Sequence, residues 1–217
     1  MKEIGELIGV RTNLQSPQVE SRGVVQRGTY QIEKLVLQRP DEIPVPALLF
    51  VPSGIEGKHP ATLYLDGRGK STDASRGGEI EKRLAGGEIV LSLDLRGFGE
   101  TSDRKSNVEY YTQEFRAGMW SLHLGQTLLG QRVEDALSGF QVLSNHAHVD
   151  ARQIHLVGIE RAGPVALHAA ALQTEVASVT LRDSIRSWVK DVVANPLHKQ
   201  FIGYVAVSYT HLRAHET

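Results

Sequence analysis

Cysteine is absent from the 217 residues, which excludes disulfides and thiolate metal sites and leaves the redox compartment unmarked. Long apolar runs are missing as well. No stretch of about 18 apolar residues occurs, and residues 1–14 have no apolar h-region, so no membrane helix or signal peptide is read here. Neither sign of charge prevails: the formal net charge of −1 gives nucleic acid or an anionic membrane no electrostatic reason to bind. What remains is a chain of one-domain length, 41% hydrophobic, with apolar side chains enough for a core.

The chain is organised around residues 154–168 (IHLVGIERAGPVALH). Ile154 to Val157 reads as a buried strand. Gly158, a tight Ile-Glu-Arg turn and Ala162-Gly163 follow, and Pro164 then opens an Ala- and Leu-rich helix. Proline suits that place, because the first helical N–H groups lack intrahelical partners in any case. Strand, sharp turn among small residues, and helix make the outline of a G-x-S-x-G nucleophile elbow. Here Glu160 stands at the serine position and Ala162 at the last glycine.

Other segments fit around this unit. Alternation predicts a half-exposed strand over 30–37 and another over 45–51, joined as a hairpin. Short apolar runs predict buried strands over 61–65, 89–93 and 176–181. Helices are expected over 74–84, around Val133, Ala136, Leu137, Phe140 and Leu143, and over 184–194. Residues 1–27 read as a polar N-terminal extension with one short helix. Residues 102–124 read as an insertion whose Tyr110, Tyr111, Phe115 and Trp120 form either a lid or a satellite core. The alternation predicts an α/β fold: a three-layer, mostly parallel sheet with an N-terminal antiparallel hairpin. Ligands bind such sheets beyond the carboxyl ends of the strands. The three Gly-rich loops, 66–69, 94–99 and 158–163, all follow strands and therefore converge on that edge.

With these segments in hand, the chain resembles the α/β-hydrolase superfamily, in its acetylxylan-esterase and dienelactone-hydrolase-like branch. The resemblance is carried by VPALLFVPSG (45–54), ATLYLDGRG (61–69), DLRGFGET (94–101), LLGQRVEDAL (128–137) and VDARQIHLVGIERAG (149–163). It implies carboxylic ester hydrolysis without cofactor or metal, on a small-molecule or carbohydrate ester. It assigns Glu160 to the nucleophile position, and the backbone N–H of Arg161 with the Gly67-Arg68 loop to the oxyanion hole. Two donors are needed there because ester attack places negative charge on the former carbonyl oxygen. The family's acid and histidine come from later loops, so the domain, 28–206, is expected to be C-terminally truncated. Residues 207–217 (VSYTHLRAHET) resemble a translated sequencing adapter, which makes them an expected non-native tail and the chain a reading frame of metagenomic type.

Three readings of Glu160 stay open: a lost nucleophile in a structural or carbohydrate-binding module, a carboxylate nucleophile, or a loop-fixing partner of Arg161 or Arg96. Asp66 either orients the oxyanion loop or is solvated. Asp183 reads as a turn residue, and Arg96 as a brace between edge loops. Gly69-Lys70-Ser71 with Asp94 imitates a nucleotide-binding pair, but the first glycine of that cradle would fall on Tyr64. His146, His148 and Asp150 have metal-like composition in what reads as a solvated loop.

Overall fold

In the computed structural model the described residues are 2–11, 13–40, 42–102, 113–185, 187 and 190. The elements are α1 (Lys2–Ile8), β1 (Gln18–Arg27), β2 (Tyr30–Gln38), β3 (Val45–Pro52), β4 (His59–Asp66), α2 (Glu79–Ala85) and β5 (Ile89–Leu93). They continue with α3 (Gln113–His123), α4 (Leu128–Ser144), β6 (Val149–Ile159), α5 (Gly163–Leu172) and β7 (Ser178–Arg182). The sheet order is β1-β2-β3-β5-β4-β6-β7.

Alternation decides which helix covers which face. Leu63 and Leu65 of β4 join Leu91 and Leu93 of β5 and Leu156 of β6 in a core that includes Val133, Phe140 and Leu143 of α4 and Val165 of α5. Tyr64, Val90 and Val157 point the other way and meet Ile80 and Leu84 of α2. Three layers result, with β4 and β5 buried at the centre. Each such buried Leu or Phe contributes about 1.5–3 kcal/mol relative to exposure. Helix α4 lies very close to the sheet: a Cβ at Gly139 would come within 2.6 Å of Leu93 Cδ1. Its start is capped by Thr127, whose Oγ1 accepts from the Gly130 N–H at 2.8 Å.

The α/β fold is as expected, a three-layer sheet with an antiparallel hairpin at its start: β4 pairs in parallel with β5 and β6, and β6 with β7, while β1–β2, β2–β3 and β3–β5 are antiparallel. Two details differ from the sequence reading. Residues 18–27 are strand β1, not simply extension. Every side chain from Gln18 to Gln26 is exposed, so no burial pattern marks the strand, and pairing with β2 alone defines it. Helix α2 begins at Glu79 because Gly77 adopts φ +73°, outside helical space. The helix expected over 184–194 lies largely outside the described residues, as do Tyr110, Tyr111 and the tail 207–217. Among the described residues no helix is long and apolar enough to cross a membrane.

Candidate active site

The three glycine-rich loops meet at the carboxyl ends of β4, β5 and β6. Asp66 ends β4 and is buried at 1% exposure, where it fixes the loop that follows. Its Oδ1 accepts from the Arg68 backbone N–H at 2.8 Å and from Nε at 3.0 Å, and Oδ2 from Nη2 at 2.7 Å. Asp66 therefore orients the loop. The next connection is a buried ion pair. Lys70 Nζ donates to Asp94 Oδ2 at 2.6 Å and to Glu100 Oε1 at 2.5 Å, and the Lys70 N–H donates to Asp94 Oδ1 at 2.6 Å. The lysine and aspartate that imitate a nucleotide site thus lock the β4 loop to the β5 loop. Tyr64, where the phosphate cradle would need glycine, donates to Asp73. Burial, and after it this contact, pushes its hydroxyl above the ordinary phenol range.

Glu160 sits at the sharp turn after β6 with φ +51°, a left-handed conformation that costs a non-glycine residue about 1–2 kcal/mol. Glycines let strand and helix close around it. A Cβ at Gly158 would come within 2.7 Å of Ala166 Cβ, and one at Gly163 within 1.9 Å of Ser184 Oγ. Across the gap, a Cβ at Gly67 would come within 2.9 Å of the Arg161 nitrogen, so the β4 loop and the elbow are in direct contact. Both N–H groups of that loop are engaged internally. Gly67 donates to the Ile159 carbonyl at 3.1 Å, and Arg68 to Asp66.

The Glu160 carboxylate faces Arg68, with Oε1 3.7 Å from Nε. Its cation is thus neither Arg161 nor Arg96. Arg161 donates to Glu114 Oε1 at 3.2 Å and to the Gly67 carbonyl at 3.0 Å. Glu114 also accepts from Arg132 at 2.9 Å, and the Arg132 and Arg161 guanidiniums lie 4.0 and 4.9 Å from the centre of the Phe98 ring. Arg96 braces its loop by carboxylate pairing with helix α4. Its Nε and Nη2 donate to Asp135 at 2.9 and 2.6 Å, and Nη1 donates to Gln131 at 2.7 Å. Behind it, burial pushes the Glu134 carboxyl up, and the side chain and N–H of Arg11 more than offset this, holding it below the usual carboxylate range.

A cleft of about 480 Å³ opens here, lined by Gly67, Arg68, Asp94, Phe98 and Arg161 among others, with no histidine among the described residues of its wall. Asp183, exposed at φ +49°, is a turn residue. His146 and His148 rings lie 5.9 Å apart, and no group of metal-type side chains forms among the described residues. Glu114, Lys70 and Asp135 are site supports that sequence reading missed. Charge at buried helix and loop positions, as in the Arg132, Glu134, Asp135 run of α4, was the available signal.

Comparison with known proteins places this geometry. The family described as acetyl xylan esterase (AXE1) matches residues 13–184. YtaP of Bacillus subtilis (strain 168), described as a hydrolase, is 25% identical over 187 residues, covering 81% of this chain and 60% of that protein. The structure of acetyl xylan esterase 1 from Thermoanaerobacterium sp. JW/SL YS485 superposes with TM-score 0.68 at 20% identity, over 98% of this chain and 65% of its own. That of an acetyl xylan esterase from Paenibacillus sp. R4 gives TM-score 0.59 at 20% identity, over 82% and 56%. The chain therefore spans well under the full length of these relatives. An α/β-hydrolase sheet, an elbow after β6 and a family match over most of the length lead to one conclusion: the chain belongs to the acetyl xylan esterase family of carboxylic ester hydrolases.

Proposed function

We propose that the strand-end cleft of this domain binds carbohydrate esters and does not turn them over by acyl transfer at position 160. The observation that carries this reading is the state of Glu160. Its carboxylate shares Arg68 with Asp66, and position 160 itself carries no hydroxyl. A carboxylate held beside a guanidinium is a weaker nucleophile, because attack must give up that attraction. The N–H groups of Gly67 and Arg68, which the resemblance assigns to the oxyanion hole, are occupied by Ile159 and Asp66. Loss of one oxyanion donor alone costs about 10²–10³ in rate. Family membership supports an ester as ligand.

The test is acetate release from p-nitrophenyl acetate and from acetylated xylo-oligosaccharides. The chain and its Glu160→Gln variant are expected to match the buffer rate. Release that depends on Glu160 overturns the reading. The left-handed strain at Glu160 favours a second reading, since such strain concentrates at functional sites. There the carboxylate attacks the acyl carbon, the alcohol leaves with a proton from water, and a mixed anhydride forms that water then hydrolyses. An acetyl adduct on Glu160, found by intact-mass and peptide analysis during turnover, supports that route.

A further inference from the structure

Helix α3 and the turn after it are folded with their polarity reversed. Glu114 and Ser121 are buried, and Glu114 holds Arg132 and Arg161, while Met119, Trp120 and Leu124 stand 39%, 66% and 78% exposed. A helix that only covered a core would turn its apolar side inward and its polar side out. Trp120 is therefore not part of a satellite core. Trp120 and Leu124, with Ile43, Ala117 and Leu128, make the apolar wall of a second cavity, of about 350 Å³. It adjoins the cleft, since Gly97 and Arg161 line both. Three guanidiniums of this wall are engaged with the protein itself. Arg96 donates to Asp135 and Gln131, Arg132 to Glu114 and the Arg96 carbonyl, and Arg161 to Glu114 and the Gly67 carbonyl.

Size and chemistry choose among the occupants. A sugar ring placed here would press hydroxyls against hydrocarbon, and burying a hydroxyl without a partner is costly. A second copy of the chain needs more surface: Ile43, Met119, Trp120 and Leu124 expose on the order of 500 Å², against roughly 800 Å² per partner in a stable interface. An aromatic ring asks for no hydrogen bond and packs on the indole of Trp120. A cavity of about 150 Å³ already takes benzene, so this one has room for a substituted ring.

We infer that this cavity is an aryl pocket, which takes the aromatic ring of an acid whose ester group lies in the adjoining cleft. The inference rests on the reading of that cleft as a carbohydrate-ester site: there the carbohydrate is the alcohol, so the ring belongs to the acid. It names the acid and not the fate of the ester bond. Two contacts hold the pocket in register with the cleft. Arg161 ties Glu114 of α3 to the Gly67 carbonyl of the β4 loop. The Gln126 N–H donates to the Ser121 carbonyl at 2.9 Å, folding the end of α3 back beside the cavity.

The probes are methyl benzoate, which joins ring and ester, benzyl alcohol, which keeps the ring alone, and methyl acetate, which keeps the ester alone. Each is titrated into the full chain and followed by saturation-transfer NMR and calorimetry. Methyl benzoate and benzyl alcohol are expected to bind saturably. Trp120→Ala should weaken both at least about tenfold, and Trp120→Phe, which keeps a ring, only slightly. Methyl acetate should not respond to either change. Because the side chain is exposed, thermal midpoints of these variants should match the parent. Three results overturn the inference: no saturable binding of either aromatic probe at millimolar concentration, equal binding by Trp120→Ala, or concentration-dependent mass that Trp120→Ala abolishes, which would show a second copy on the patch. Aromatic binding that depends on Trp120, with no binding of acetylated xylo-oligosaccharides, would instead refute the carbohydrate-ester reading of the cleft and leave the aryl pocket standing.

Discussion

Removing the Asp94 carboxylate tests the connection between the β4 and β5 loops. Asp94 is 1% exposed and accepts three hydrogen bonds, from Lys70 N at 2.6 Å, Lys70 Nζ at 2.6 Å and Glu100 N at 3.0 Å. Asp94→Ala strands a buried ammonium and two backbone donors. Breaking a buried pair from one side costs about 3–5 kcal/mol. Lys70 keeps its contact with Glu100, whose side chain is 67% exposed, and water can enter at the cleft edge. The lower end, about 3 kcal/mol, is therefore expected, which lowers the melting temperature of a chain this long by roughly 6–12 °C. Lys70→Met should cost less, about 1–2 kcal/mol, because Asp94 retains both backbone N–H donors. Urea unfolding of the two single variants and the double variant gives their coupling, expected above about 1 kcal/mol. A change within about 0.5 kcal/mol for Asp94→Ala would refute the argument that this pair holds the loops together.

Three further outcomes follow from the same geometry. Gly67→Ala should cost about 1–3 kcal/mol in urea unfolding, because the new Cβ meets the backbone nitrogen of Arg161 at 2.9 Å and neither loop is free to retreat. Glu160→Gly should be more stable than Glu160→Ala by about 1 kcal/mol, since both lose the Arg68 contact and only glycine relieves the left-handed strain. Equal stability would mean that position 160 is unstrained. Burial holds the His168 imidazole below its ordinary pKa despite the contact of its Nδ1 with the Pro164 carbonyl at 2.7 Å. The unfolded chain therefore takes up the proton first: stability is full above about pH 6.5 and falls as pH drops through that value, by at most about 1.4 kcal/mol per pH unit from this group. His168→Leu should flatten that part of a melting-temperature profile between pH 7.5 and 5.5.

How much of this was legible depended on whether burial left a pattern. Ile89 to Leu93 reads as a strand because all five side chains are buried, and β4 and β6 announce themselves in the same way. Strand β1 could not, since its side chains face water and its register is set by Leu35, Leu37 and their neighbours in β2. The convergence of three glycine loops followed from strand order alone. The partner of Glu160 did not. Arg161 is its neighbour in sequence, but the turn sends that guanidinium toward Glu114, and Arg68 arrives from a loop more than 90 residues away. The buried charges of α4 were equally beyond reach, because the partners of Glu134 and Asp135, namely Arg11, Arg39 and Arg96, come from distant parts of the chain.

The clamp around Phe98 has a consequence for redesign. Arg132 and Arg161 both approach that ring and share Glu114, while Gly67, Gly158 and Gly163 set how close the backbones come. None of these supports uses the side chain at position 160. The turn behaves as a socket: its shape is imposed from outside, and the group it presents can be exchanged with little change to the frame. Chemistry grafted at this position would inherit a ready-made placement beside Arg68, which lines the cleft, and the Arg68 loop would be the part that needs rebuilding to suit it.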